Sequence, residues 1–129
     1  ASGAQWPVTE APEMLKHNNL YYLFYTANDF RHANYNVGYA TSTSPLGPWT
    51  KYTVNPLIGK TTGIQGTGHC AFTTTGNHGL VMFYHAHHSP GQVGPRRTVY
   101  SNCTFMPVNG SADALKVNDE KLFPMIEVK

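Results

Sequence analysis

Thr9-Glu10-Ala11-Pro12, then Leu20-Tyr21-Tyr22-Leu23-Phe24-Tyr25, then Val37-Gly38-Tyr39-Ala40-Thr41-Ser42-Thr43-Ser44-Pro45-Leu46-Gly47-Pro48-Trp49 place one carboxylate ahead of two aromatic strands and a Gly/Pro-punctuated turn. Short runs of Tyr, Phe, Val and Thr bounded by Gly, Pro, Asn and Asp are strand signals, and no window of about 11 or more residues carries a 3.6-residue period. The chain therefore reads as all-β. Strands are expected at Glu13 to His17, Leu20 to Thr26, Val37 to Thr43, Thr50 to Tyr52, Thr67 to Thr74, Leu80 to His87, Arg97 to Thr104 and Ala114 to Val117. His17-Asn18-Asn19 reads as a tight hairpin connection, because Asn tolerates positive φ. Thr43 to Pro48 must be a turn, since its two prolines lack ladder donors and push the residues before them toward extended backbone. Thr75-Gly76-Asn77-His78-Gly79 is read as a second such turn.

Two units of similar layout follow, each with a polar motif on its first strand, an aromatic second strand and further outer strands. That is how antiparallel, four-stranded propeller blades are written. One domain is expected over residues 1–129, with blades at about 8–58 and 64–117 joined by a Gly/Thr-rich connector from Gly59 to Gly68, then a tail without signal from Met106. Blades in this number leave open sheet edges, which invite pairing with another chain. Self-association, a missing part, or rearrangement into a smaller fold such as a sandwich would each cover them.

Composition narrows the function. Of 129 residues 40% are hydrophobic and only 12% charged, about half the usual charged share. The surface must then be rich in Asn, Thr, Ser, His and Tyr, which suits neutral, hydroxyl-rich ligands. Nine basic and seven acidic residues give +2, and apart from Arg96-Arg97 the basic ones are scattered, which argues against nucleic acid. No apolar run approaches the roughly 18 residues of a membrane span, and no leader pattern opens the chain, so a soluble or mature chain is expected. Ala1-Ser2-Gly3-Ala4 would suit a processed N-terminus, and Asn102-Cys103-Thr104 and Asn109-Gly110-Ser111 are glycosylation acceptor patterns. Together these point to secretion. Cys70 and Cys103 are either one bridge, closing a loop of about 32 residues and contributing about 3 to 4 kcal/mol, or two buried thiols.

From Val8 to about Phe105 the ordered motifs Thr9-Glu10-Ala11-Pro12, Gly66-Thr67-Gly68-His69, Phe83-Tyr84-His85-Ala86 and Gly94-Pro95-Arg96-Arg97 resemble the second half of a glycoside hydrolase family 43 catalytic domain. These are the five-bladed propellers of arabinanases, arabinofuranosidases and β-xylosidases. The resemblance implies inverting hydrolysis of pentose-containing oligo- or polysaccharides by a general acid, a general base and a third carboxylate that tunes the acid. The acid and base stand about 6.5 to 9.5 Å apart to admit water. Glu10 matches the acid's position, with alanine where the motif usually has glycine. The base and the tuning carboxylate belong to the half that the resemblance does not cover, so a missing N-terminal half or a second copy in a homodimer would have to supply them. The resemblance sends His69 to the propeller axis, where relatives hold a calcium or other ion; no cofactor is otherwise implied. It sends Arg96 into the sugar pocket, where a planar fork of donors holds vicinal hydroxyls. Phe30, Tyr35 and Trp49 add aromatic surface of the kind that stacks on sugar rings, Trp49 being better suited to blade packing.

Other acids and imidazoles weigh less. On a regular strand Glu13, three residues from Glu10, points to the opposite face. Asp29 sits in a loop able to reach a ligand but is not read as a base. His85-Ala86-His87 has a zinc-like spacing, yet no third or fourth ligand follows, so His85 is read as a packed, hydrogen-bonded residue. Three functions remain: a hydrolase completed by other polypeptide, a lectin-like sugar-binding protein, or an interaction protein with a vestigial pocket.

Overall fold

The alternation of aromatic and small residues folds as two meanders in the computed structural model, which describes residues 8–60, 63–77 and 79–122. The first sheet runs in the order β1 (Thr9–His17), β2 (Leu20–Ala27), β3 (Asn36–Ser42) and β4 (Thr50–Lys51). The second runs β5 (Gly68–Thr74), β6 (Leu80–Ala86), β7 (Arg97–Met106) and β8 (Ala114–Leu122). All pairings are antiparallel and sequential, so the molecule is two four-stranded blades of a partial propeller rather than a rearranged sandwich. Among the described residues no helix is long and apolar enough to cross a membrane. The proposed leader remnant Ala1–Ala4 and His78 of the second turn lie outside the described residues.

Asn18 and Asn19, both at positive φ, form the two-residue β1–β2 turn, with His17 opposite Leu20. Strand ends depart from expectation in informative ways. β1 starts at Thr9, four residues before the expected Glu13, because a bulge between Glu10 and Glu13 carries pairing past Pro12. β8 runs on to Leu122 rather than Val117. Its Asn-Asp-Glu-Lys sequence has little strand propensity, but an edge strand tolerates charge. β6 stops at Ala86, since the His87 amide turns away to the carbonyl of Gln65.

One apolar cluster joins the sheets: Tyr22, Phe24, Val37 and Tyr39 from the first meet Cys70, Met82, Tyr84, Val99 and Leu115 from the second. β5 lies against β1, β2 and β3. Phe24 packs on Phe72 at 4.6 Å, and the His17 ring stacks on Phe105 at 3.7 Å. Two polar groups at the seam find partners across it. The Tyr22 hydroxyl donates to the Asp113 carbonyl at 2.7 Å, and the His69 amide donates to Thr26 Oγ1 at 2.8 Å. Cys70 and Cys103 are both free and buried, with their thiols pushed up to about 12 and about 11, chiefly by burial. Trp49 is half-buried and folds back over Gly47.

Candidate active site

At the ends of the inner strands, Glu10, Phe30, Tyr35, His69, His85 and Arg96 line one cleft of about 290 Å³. All five residues singled out from the sequence for a site meet there, and His85 joins them. Glu10 lies opposite Thr26 on β1, immediately before Ala11, whose φ is +53°. His69 follows Gly68 on β5 with φ +54°, again at a bulge, this time between Gly68 and Ala71. Each bulge inserts one residue and aims a polar side chain at the cleft.

Tyr35 closes the loop after β2. Only 2% exposed, it donates from its hydroxyl to Glu10 Oε1 at 2.7 Å, and its ring lies parallel to His85 at 5.9 Å. Burial, followed by the bond to Glu10, pushes the phenol well above its ordinary value, so it remains a donor. The aromatic face expected to meet a sugar is thus turned inward, and the hydroxyl makes the contact. Phe30 is 47% exposed at the rim. Arg96, also exposed, spreads its guanidinium 5.5 Å from the Phe30 ring centre and donates from Nη1 to His85 Nε2 at 3.2 Å.

Because Arg96 only donates, His85 Nε2 must accept, and the ring proton belongs on Nδ1. That Nδ1 is buried without a hydrogen-bond partner. Burial first, then the charge of Arg96 and the neighbouring His69, pushes His85 down to about 4, so it is neutral at pH 7. His85 was missed as a site residue; its sequence signals, the Phe83-Tyr84-His85-Ala86 motif and the His85-Ala86-His87 spacing, are ones an ordinary packed histidine also satisfies. His87 has another task. It is 5% exposed and donates from Nε2 to the Phe30 carbonyl at 2.7 Å, pinning the loop that carries Phe30. Gly66 makes room for it, since a Cβ there would lie 2.1 Å from the imidazole.

The remaining candidates lie elsewhere. Asp29 is held by the Arg31 amide and guanidinium, which keep its carboxyl well below the usual range. Glu13 is half-buried opposite Phe24. Alternation across the bulge fails to send it to the opposite face, because the extra residue restores it to the side of Glu10, one repeat along the strand. Arg97 faces away from the cleft, half-buried opposite Ala86. Glu10 is therefore the one carboxylate lining the cleft among the described residues. Calcium takes six to eight oxygen ligands, whereas this cleft offers one carboxylate already engaged by Tyr35, two imidazoles and a guanidinium. Among the described residues no metal-like group of His, Cys, Asp and Glu occurs, and the set does not fit the ion implied for His69. A second hollow of about 310 Å³ lies between β4 and the loop before β8; its Asp113 is occupied by His17 and Asn18.

The family model described as "Glycosyl hydrolases family 43" matches residues 1–107. Over 76 residues the chain is 32% identical to the Beta-D-galactofuranosidase xynD of Aspergillus niger, covering 59% of this chain and 22% of that protein. Among solved structures it is similar to an endo-1,4-beta-xylanase from Bacteroides thetaiotaomicron, with a TM-score of 0.78 and 36% identity over 87% of this chain and 38% of that one. A thermostable family-43 glycoside hydrolase gives a TM-score of 0.77 and 36% identity, over 94% of this chain and 38% of the other. A Cellvibrio cellulosa alpha-L-arabinanase, at 21% identity and a TM-score of 0.66, shares the fold. The chain thus spans well under half the length of these relatives.

Proposed function

Because the chain belongs to glycosyl hydrolase family 43, we propose that it is the acid-bearing part of a glycosidase site for pentose-containing polysaccharides such as xylan or arabinan. The observation that carries this reading is the cleft in which Glu10, held by Tyr35, shares its walls with Arg96 and Phe30. Glu10 protonates the glycosidic oxygen, Arg96 grips vicinal hydroxyls, and the open part of the Phe30 ring receives a sugar face. A base and a tuning carboxylate come from polypeptide outside this sequence, either the rest of a longer protein or a second copy of the chain, at a separation that admits water. The names of the relatives, a xylanase and a galactofuranosidase, support a furanose or xylose substrate. The reading of residues 1–129 as one domain is supported by the core shared between the two sheets. Secretion is supported by the exposed acceptor asparagines Asn102 and Asn109.

A second reading, a sugar-binding protein without hydrolysis, is favoured by the single carboxylate in the cleft. Losing an essential member of a catalytic set costs orders of magnitude in rate, while binding contacts survive. Hydrolysis of aryl arabinofuranosides, xylosides and galactosides by the purified chain tests the hydrolase completed by a second copy against this reading, with its mass in solution measured beside it. Under the hydrolase reading Glu10→Gln lowers turnover by on the order of 100-fold or more. Absence of turnover from the folded chain, with glycan binding retained, removes self-completion by a second copy and leaves the chain by itself a sugar binder.

A further inference from the structure

Resting on the reading of Glu10 as the acid, we propose that Tyr35 is a positioning residue that fixes which Glu10 oxygen carries the proton: Oε1 accepts from Tyr35, leaving Oε2 to hold the proton for the sugar. In a protonated carboxyl the carbonyl oxygen is the better acceptor and the hydroxyl oxygen is the donor. The oxygen bonded by the Tyr35 hydroxyl at 2.7 Å is therefore the carbonyl one. Tyr35 has little freedom to release it. Its ring lies against His85 on one side, and Gly68 approaches so closely that a Cβ there would stand 2.1 Å from Tyr35 Cε1. The glycine of the Gly-Thr-Gly-His motif is thus explained by the tyrosine it admits.

The same bond strengthens during the reaction. The proton leaves Oε2 for the glycosidic oxygen, which takes the electron pair of its breaking bond to the anomeric carbon. Water, losing a proton to the base outside this chain, supplies the new oxygen there. Glu10 is left as a carboxylate whose charge spreads onto Oε1, where Tyr35 already donates. A donor that gains strength as charge develops favours the transition state over the bound substrate.

Tyr35→Phe keeps the ring and removes only the hydroxyl. We expect kcat for aryl glycosides to fall roughly ten- to a hundred-fold, with KM within about twofold. The loss deepens as the leaving group becomes harder to expel, as it does for Glu10→Gln, because only poor leaving groups need the proton. A raised KM with kcat unchanged would mean that Tyr35 touches the sugar, and would overturn the proposal. A second readout needs no turnover. In chain carrying 13C-labelled glutamate, the carboxyl resonance that vanishes in Glu10→Gln should move in Tyr35→Phe while the other glutamates stay put; an unmoved resonance overturns the pairing. Turnover absent from every form shows that the chain alone does not complete the site, and the resonance then decides: moved in Tyr35→Phe it upholds the Tyr35–Glu10 pairing, unmoved it overturns it.

Discussion

His85 receives the Arg96 guanidinium with a ring that must stay neutral to do so. Its value in the folded chain, about 4, lies below the ordinary 6.5. Between those two the unfolded chain binds the extra proton, so the contribution of His85 to stability is full above about 6.5 and is lost as the pH falls toward about 4. Protonation there also places a second cation beside Arg96, with His69 and His87 close by. His85→Gln keeps an acceptor for Arg96 and removes the titration. Its melting temperature should therefore fall less than that of the parent chain between pH 7 and pH 4.5; equal losses would show that other histidines govern the slope. Glu10, Arg96 and His69 were legible because each stands in a motif whose order survives in the sequence, and Phe30 as an aromatic residue of the kind that meets a sugar. The work of His85 and the hydroxyl bond of Tyr35 were not legible. Both depend on partners brought near by separate loops: Tyr35 is 25 positions from Glu10, and Arg96 is 11 from His85.

Strand interiors were readable from alternation, but the two bulges that make the site were not, because a bulge breaks the period from which strands are read. Both fall near the start of the first strand of a sheet, with Ala11 in one and His69 in the other held in left-handed backbone. Without the extra residue in β1, alternation would separate Glu10 from Glu13 and re-aim everything from Glu10 toward the N-terminus. Left-handed backbone strains a residue carrying a Cβ, and Ala11 has no side-chain hydrogen bond to offset that strain. Ala11→Gly relieves it, at some cost from the greater freedom of glycine in the unfolded chain. The net expectation is a gain of about 0.5 to 1 kcal/mol in denaturant unfolding. A loss of stability would mean that Ala11 does not hold this conformation. β8 was legible only in its first four residues, for there the apolar Ala114, Leu115 and Val117 stop and an edge strand of polar residues begins.

For the whole molecule, the continuous run Leu20 to Tyr25 distinguishes the two sheets. A sheet with one wet face alternates apolar and polar residues, whereas here both faces of β2 are apolar. Tyr22 and Phe24, fully buried, fill the seam with the second sheet. Tyr21, Leu23 and Tyr25 occupy the far face, beside Met14 opposite Leu23, which is 41% exposed, and Lys16, whose ammonium sits over the Tyr21 ring at 5.2 Å. The far face of the second sheet differs, with Thr73, Thr98, Asn102 and Thr104 exposed around Phe83 and Tyr100. The first sheet is therefore the blade that calls for a neighbour, and the relatives, more than twice as long, have the chain to provide one. If a second copy serves instead, the parent chain runs in solution at twice its own mass or more. Leu23→Lys, a charge at the centre of that face, returns it to a single chain with its β-sheet circular dichroism intact. Any hydrolysis that depends on association is then lost with it, although Leu23 lies away from the cleft. A parent chain already running as a single copy rules out self-completion, and the hydrolase reading then requires a base for Glu10 from the rest of a longer polypeptide packed on this same face.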